Sequence, residues 1–339
     1  MLITPSRLPL AVLAGVGVLA LLIAASLAIG SFPVAPRELA SVLWSAVSGG
    51  EAAASDGARA VVLEIRGPRI VAALAVGAAL GIAGAAFQVV FRNPLVSPDI
   101  LGVSSGCALG AVIGIVLGLP AAALQASAFA GGVAAAALVL AIGARIRGAD
   151  PVLTLVLTGV VVGSLFGAGV AFAKTVADPY HQLPAITFWL LGSFAGVTGA
   201  DLAIAVPLMV AGALPLALLR WRLNVLALSD DDAASLGIDV SRLRLVAVAA
   251  ATLATSAAVA IVGIIGWIGL VIPHAARLLA GPALARVLPL AAILGAATLL
   301  VVDTVCRTAV QGELPPGVIT ALLGTPAFIA LLAAAARRP

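Results

Sequence analysis

Residues 66–106 read RGPRIVAALAVGAALGIAGAAFQVVFRNPLVSPDILGVSSG, and this stretch decides the fold class. Its first part, residues 70–91, is apolar almost throughout, and about 20 apolar residues in a helix can cross a bilayer core about 30 Å thick. Polar residues then interrupt the run, among them Arg92 and Asp99 with two prolines, before a second apolar run begins. The stretch therefore predicts two membrane-spanning helices joined by a short polar connection.

The rest of the chain has the same character. Of its 339 residues, 63% are hydrophobic and only 9% are charged, and the mean hydropathy is +1.24. A water-soluble domain of this length cannot hide so much apolar surface, so we predict an all-α polytopic membrane protein. The net charge of +4 lies in short connections and gives no reason to expect a nucleic acid partner. Two cysteines in apolar segments are too few for a disulfide framework or a zinc site.

Apolar runs between proline, glycine and charge clusters predict ten spans. They lie roughly at residues 8–30, 70–91, 100–119, 121–144, 152–173, 202–219, 245–262, 267–280, 283–305 and 317–336. The first run is too long for the apolar core of a signal peptide, so we expect it to remain as a helix. The eighth is too short to cross a bilayer alone. Pro273 and His274 within it predict an irregular segment that is shielded by its neighbours.

Positive residues predict the orientation, because Lys and Arg are enriched in cytoplasmic loops. With the N-terminus inside, the inner connections hold Arg7, Arg92, Arg145, Arg147, Arg220, Arg222, Arg242, Arg244, Arg277, Arg286, Arg337 and Arg338. The outer side holds Arg37, Arg59, Arg66, Arg69, Lys174 and Arg307. This two-to-one bias predicts that both termini lie in the cytoplasm.

Glycines recur at helical spacing in three of the predicted spans. The third span has them at every fourth position, and shorter series occur in the second and fifth spans: Gly102, Gly106, Gly110, Gly114 and Gly118; Gly77 and Gly81; Gly159, Gly163 and Gly167. This spacing lines glycines along one helix face, which another backbone can approach closely. Close helix packing is the simplest interpretation, and sliding or tilting of helices during transport is compatible with it.

Short motifs indicate an internal repeat. LVSP at 95–98 returns as LVIP at 270–273, and PVLTLVLTG at 151–159 resembles PGVITALLG at 316–324. If the halves are spans two to five and seven to ten, they lie an odd number of spans apart and are inverted in the membrane. The repeats would cover about residues 66–175 and 241–337 of a single domain, residues 1–339. Inverted repeats with broken helices are typical of transporters, and a chance match of short motifs is the alternative.

The residues give little indication of what drives transport. The chain contains no G-x-x-x-x-G-K-[ST] phosphate loop, so we predict that it is not itself an ATPase. Ion-coupled carriers usually place ionisable groups deep in the bilayer, and the candidates here are Asp303 near the outer end of the ninth span and Asp99 and Asp201 at span edges. These are few for a proton relay. An ion-coupled secondary transporter of a small organic solute remains the alternative, and a purely structural scaffold has little in its favour.

The most polar inner connection, about residues 223–241, predicts two short helices. Ser229 is a suitable N-cap, and the three aspartates 230–232 follow in the first turn, where carboxylates suit the helix dipole. Gly237 would end this helix, and residues 238–241 would start another. From these residues alone the connection is either a solvated linker or a docking surface for a cytoplasmic partner.

Three stretches resemble the permease subunits of ABC importers for iron–siderophores, haem and vitamin B12. They are residues 66–106, GIIGWIGLVIPHAARLLAGP at 263–282 and ELPPGVITALLGTPAFIALL at 313–332, and the similarity extends from about Arg37 to the C-terminus. The resemblance implies ten helices and a homodimer with one translocation path at its axis, in the bacterial inner membrane. It also implies two cytoplasmic ATPase subunits, which carry the ATP and Mg, and an extracytoplasmic substrate-binding protein. The chain itself would bind no cofactor.

The resemblance also implies a role for particular residues. In such permeases the loop between the sixth and seventh helices docks into the ATPases. The residues that would couple to the ATPases here are Ser229, Asp230, Asp231, Asp232, Ala233, Ala234, Ser235, Leu236 and Gly237. The fifth and tenth helices line the translocation path in this family. The residues that would line it here are Gly159, Gly163, Gly167, Val318, Leu322 and Thr325. Which side chains face the substrate is left open.

Outer arginines would bind carboxylates of the binding protein in such a system, and the matching residues are Arg66, Arg69 and Arg307. The alternative is an interfacial anchor, or a local pair with Glu64 or Glu313. Tyr180 and His181 could ligate haem iron, but an exposed loop without a ligand role is the simpler interpretation. For His274 we expect packing or a hydrogen bond. The connection that contains Arg92 is expected to be an architectural joint near the ATPases.

Overall fold

The computed structural model describes residues 4–30, 32–50, 54–146, 150–310 and 312–336, and within these ranges the chain is helical with no β-strand. The helices are α1 (Leu8–Ala28), α2 (Pro36–Ser48), α3 (Asp56–Ala60), α4 (Gly67–Val90), α5 (Val103–Val116), α6 (Ala121–Gly143), α7 (Pro151–Val176), α8 (Gln182–Leu191), α9 (Gly199–Leu218), α10 (Arg220–Leu223), α11 (Asp230–Ser235), α12 (Val240–Val262), α13 (Ile268–Ala280), α14 (Leu284–Cys306) and α15 (Pro316–Ala336). A π-helical turn, Val61–Arg66, joins α3 to α4 in one helical run.

All ten predicted spans are helices. Seven helical runs in the described ranges are long and apolar enough to cross a membrane, namely α1, α3–α4, α6, α7, α9, α12 and α14. The predicted third and eighth spans are α5 and α13, with 14 and 13 residues, and helices of that length rise only about 20 Å. α5 is shorter than predicted because Gly102, with φ 71°, separates it from a 3₁₀ turn at Pro98–Leu101. The short helices α2 and α8, between spans, were not predicted.

The predicted irregularity of the eighth span was wrong in its position. α13 is a continuous helix with Pro273 inside it. The irregular backbone comes before the helix, at residues 263–267, where Trp267 has φ 71°. The predicted shielding is confirmed, because Ile272, Pro273 and Ala276 are buried on one face of α13.

Helix packing repeats itself between the two halves of the chain. α4 packs against α13 and α14, and α12 packs in the same way against α5 and α6. α5 contacts α6 and α7, just as α13 contacts α14 and α15. Arg244, near the start of α12, shares Asp230 with Arg92, just past the end of α4, so α4 and α12 run in opposite directions. The packing agrees with the predicted inverted repeat, and the short second helix of each half resembles the broken helices of transporters.

Only one of the two motif echoes marks equivalent positions. Pro151 and Pro316 each begin the last helix of a half, α7 and α15. Pro98, in contrast, precedes α5, whereas Pro273 lies inside α13. LVSP and LVIP do not occupy equivalent positions because the two connections differ in length. The connection between the first and second helices spans residues 91–102 in the first half but only 263–267 in the second.

Glycines allow the central helix α4 to touch its neighbours backbone to backbone. A Cβ atom added to Gly77 would lie 2.2 Å from the carbonyl oxygen of Gly295 in α14, and one on Gly84 would lie 1.9 Å from that of Gly269 in α13. In α5, a Cβ on Gly106 would lie 2.3 Å from the Gly131 oxygen of α6. These separations are too short for any side chain, which confirms the packing interpretation for these glycines. That interpretation fails for Gly118 and Gly167, where an added Cβ would meet nothing within 4 Å.

The Gly77 contact can be tested with one methyl group. Gly77→Ala is expected to lower the thermal midpoint of the detergent-solubilised protein, since overpacking of this kind costs about 1–3 kcal/mol. Gly17→Ala is the matched control, because a Cβ there meets nothing within 4 Å. Equal midpoints for the two variants in a thermal-shift assay would contradict the contact.

Candidate functional sites at the two ends of the bundle

One end of the bundle, called the Arg69 end, holds three arginines with Asp303 and Glu313. Arg66, the last residue of the π-helical turn, has only 4% of its surface exposed. Its guanidinium donates to the carbonyl oxygens of Leu27 at 2.5 Å and Phe32 at 2.6 Å. Carbonyls at the end of a helix have no partner within the helix and attract cations. Arg66 therefore caps the C-terminal end of α1.

Arg69 makes the buried ion pair of this end. Its Nε donates to Asp303 Oδ1 at 2.6 Å, and its Nη1 donates to Glu313 Oε1. Arg69 is 6% exposed and Asp303 is fully buried, whereas the Glu313 side chain is 38% exposed. A buried carboxylate needs a charged partner to stay ionised, so Arg69 and Asp303 depend on each other while Glu313 faces outward.

Arg307 completes the Arg69 end from the C-terminal cap of α14. Its Nη1 donates to the Ile29 oxygen at 2.6 Å, and its Nη2 donates to Ser26. Its Nε lies 3.7 Å from Asp303 Oδ2, which makes it an ion-pair partner of that carboxylate. Arg66 and Arg307 thus hold the end of α1 together, and Arg307 also supports the Asp303 charge.

For Arg69, the structure contains the local pair with Glu313 that the sequence offers as the alternative to docking. Glu64 is exposed and takes no part in the ion pairs among the described residues. Contact with a binding protein stays a prediction for Arg66, Arg69 and Arg307. The sequence offered Glu313 as a partner, but it could not reveal Asp303 as the partner of Arg69 or the carbonyl oxygens at residues 26–32 as partners of Arg66 and Arg307.

The other end of the bundle, called the Asp230 end, carries α11 as an exposed short helix. The predicted N-cap is confirmed, since Ser229 Oγ accepts from the Asp232 N–H at 3.1 Å. Gly237 has φ 74° just past the helix, as predicted for its end. α12 then begins at Val240 behind an Asp239 cap, five residues earlier than the predicted seventh span.

Asp230 ties α11 to two membrane helices. Its carboxylate accepts from Arg244 Nη2 of α12 at 2.8 and 3.0 Å and also from Arg92 Nη2, beyond the end of α4. Arg92 Nε adds a bond of 3.0 Å to the Leu226 oxygen in the same connection. The polar connection after α4 and the 223–241 connection are therefore bound to each other, as expected of an architectural joint, and its position near the ATPases stays a prediction.

Two properties support the importance of this joint. Arg92 has φ 50°, a left-handed backbone that costs a non-glycine residue free energy and survives only where contacts enforce it. Burial alone would raise the pKa of Asp230, but the hydrogen bonds and charges of Arg244 and Arg92 outweigh it and hold that pKa below its usual value. The carboxylate is therefore ionised at neutral pH.

The candidate path residues fall into two groups. Gly159 and Gly163 of α7 pack against the backbone of Ile100 and Gly102. Gly167, Val318, Leu322 and Thr325 are exposed on α7 and α15. The second group is open to a partner or a passing solute, whereas the glycines of the first group position the turn at residues 98–102.

The aromatic and histidine candidates have separate surroundings. Tyr180 is 83% exposed, and His181 is an exposed residue before α8. In the described part of the chain no His, Cys, Asp or Glu cluster suits a metal ion. His274 is buried and packs edge-on against Phe328 with ring centroids 6.2 Å apart, which agrees with the packing expected for it.

An all-helical bundle with an inverted repeat and two short helices in equivalent positions is the architecture of a membrane transporter. Residues 18–334 match the FecCD transport family, and the chain belongs to that family. The cobalamin import system permease protein BtuC of Halobacterium salinarum is 39% identical over 276 residues, 81% of this chain and 74% of that protein. The molybdate import system permease protein MolB of Haemophilus influenzae is 35% identical over 304 residues, 89% of each chain. A solved inward-facing ABC transporter of metal-chelate type matches with a TM-score of 0.87 at 33% identity, over 96% of this chain and 99% of that chain.

The buried pair at the Arg69 end predicts a strong stability effect. Arg69→Met leaves the Asp303 charge without its main partner and should destabilise the fold by about 3 kcal/mol. Combining it with Asp303→Leu should recover most of this loss, because the unpaired charge is then removed as well. Thermal unfolding of the single and double variants measures the difference, and a double variant no better than Arg69→Met would contradict the pair.

The joint at the Asp230 end predicts a local change in protection. Asp230→Asn removes the charge that Arg92 and Arg244 share, so amide exchange in residues 230–235 should speed up several-fold. Asp231→Asn, an exposed neighbour, is the control and should leave exchange unchanged. Because the pKa of folded Asp230 lies below its unfolded value, acid should reproduce the effect only as pH falls below about 4. Equal exchange in both variants would refute the joint.

Proposed function

We propose that this chain is the membrane permease subunit of an ABC importer, and that α11 is the helix through which separate ATPase subunits act on it. The observation that carries the proposal is the exposed α11, fixed by Asp230 to both Arg92 and Arg244. A force applied to α11 reaches α4 and α12, the first helices of the two halves, through charge-assisted bonds rather than through a loose loop. Family membership supports the same assignment.

The proposed orientation places the Asp230 end in the cytoplasm of a bacterial inner-membrane protein. Most positive residues of the described chain lie at that end, as the positive-inside rule requires. Those described there are Arg7, Arg92, Arg145, Arg220, Arg222, Arg242, Arg244, Arg277 and Arg286, while Arg147, Arg337 and Arg338 lie outside the described residues. Both termini would then be cytoplasmic.

A second copy of the chain is proposed to pack against α7 and α15 and to close the path between the two copies. Both helices leave large apolar side chains exposed, among them Leu157, Leu165 and Leu322. Exposed apolar surface on a membrane helix meets either lipid or another helix, and the open residues Gly167, Val318 and Thr325 lie on these same two helices. Such a path has little charge and suits a large solute that must slide without binding tightly.

The Arg69 end is proposed to receive an extracytoplasmic binding protein. A depression of about 210 Å³ there is lined by Glu64, Arg69, Phe194 and Glu313 among others. Glu313 is the exposed partner of Arg69, so a carboxylate from a binding protein could take its place without unpairing Asp303. This exchange would let a mostly buried arginine act in docking.

The proposed cargo is an iron chelate, such as a siderophore or haem, or a corrinoid. The names of two of the three similar proteins support a metal-chelate or cobalamin class, whereas the third is a molybdate permease. The near absence of charge on α7 and α15 fits a large chelate. ATP and Mg would be bound by the ATPase subunits and no cofactor by this chain. An ion-coupled carrier is the second candidate, favoured by the inverted repeat alone.

Cross-linking tests the proposal directly. The two native cysteines are buried, so Ser235→Cys in α11 should be the reactive site that cross-links to a co-expressed ATPase subunit. Tyr180→Cys, exposed at the opposite end, is the control and should give no such product. The purified chain should hydrolyse no ATP on its own, and uptake by the assembled complex should stop without ATP.

Three results would count against the importer. They are ATP hydrolysis by the isolated chain, equal cross-linking from Tyr180→Cys, and uptake that persists without ATP while a proton gradient is kept. The last would favour the ion-coupled carrier.

A further inference from the structure

A groove of about 690 Å³ opens at the Asp230 end, and its described lining includes no residue of α11. It lies between the C-terminal end of α9 and the first turns of α14, beside the start of α1. Ile82 of α4 is also part of its lining. The lining is almost entirely apolar, with Ala217, Leu288 and Ala292 among its residues. No site proposed above includes this groove.

Helix geometry gives the depth of the groove. Ile82 lies eight residues before the end of α4, and Ala292 lies eight residues after the start of α14. At 1.5 Å per residue, both residues are about 12 Å from the helix ends. The groove therefore extends about 12 Å along both helices from this end of the bundle.

The mouth of the groove is cationic. Arg220, Trp221 and Arg286 line it where α10 and α14 begin, and no carboxylate is among the described residues that line it. The Arg220 guanidinium lies 5.9 Å from the centre of the Trp221 ring and donates one bond to the Ala217 oxygen. A guanidinium has five N–H donors, so this bond uses only part of its capacity.

We propose that the groove binds one anionic phospholipid, with the phosphate between Arg220 and Arg286 and an acyl chain in the apolar slot. Charge at the mouth matches the headgroup, the depth matches part of an acyl chain, and tryptophan is enriched at the headgroup level of membranes. Basic pockets between helices on the cytoplasmic side bind such headgroups. The assignment to the inner leaflet rests on the orientation proposed above, whereas binding itself does not.

Native mass spectrometry of the full-length protein in detergent tests the proposal. Phosphatidylglycerol should be retained more strongly than phosphatidylcholine with the same chains. Arg220→Gln and Arg286→Gln should each weaken phosphatidylglycerol binding about fivefold, the effect of one arginine near an anionic surface. Arg220→Lys should keep most of the binding, which separates loss of charge from misfolding.

Arg222→Gln is the matched control, because this neighbouring arginine is not among the groove residues. Ala292→Phe should fill the slot and weaken both lipids. Equal retention of the two lipids, the same loss in Arg222→Gln, or displacement by millimolar inorganic phosphate would each overturn the proposal. Lipid binding that is unchanged in the Arg220 and Arg286 variants would also overturn it. A second copy of the chain that covers the groove would produce that result.

Discussion

Backbone contact between α4 and its neighbours is the constraint on which the rest of the structure depends. In hydrocarbon, helices gain little from burying apolar side chains, because lipid tails are equally apolar. Association rests instead on close packing, and glycines such as Gly77 and Gly84 make the closest approach possible. The surroundings of α4 follow from this: α14 and α13 press against its glycine faces, while α12 and α9 pack on other sides.

The same helix is fixed at both ends by charge. Arg69, in its first turn, is paired with Asp303, and Arg92, just beyond its last turn, is paired with Asp230. Each carboxylate comes from a different part of the chain, so α4 joins elements that the sequence keeps far apart. A helix packed so tightly along its length and bound at both ends is suited to carry a displacement from one end to the other. The coupling proposed for α11 would require this property.

The sequence predicted most of this architecture but few of its long-range partners, with Glu313 offered only as one alternative for the outer arginines. Length and hydropathy are local properties, so the ten helices, the Ser229 cap and the role of Gly237 followed from short windows. The helix breaks at Gly102 and Trp267 were harder to predict, because a left-handed backbone conformation within an apolar run does not change the hydropathy of that run. Pairings such as Arg69 with Asp303 depend on which helices become neighbours. The repeat indicated the order of helices but no contact between side chains.

The capping of α1 by Arg66 and Arg307 has a consequence for biosynthesis. α1 is only slightly buried along its length, and its last turn is held by one residue made soon afterwards and by another made almost at the end of translation. The C-terminal end of α1 therefore becomes fully capped only late in synthesis, after α14 and Arg307 have been made. Until Arg307 is in place, Arg66 is the only one of these two arginines that can bind the carbonyl oxygens at that end.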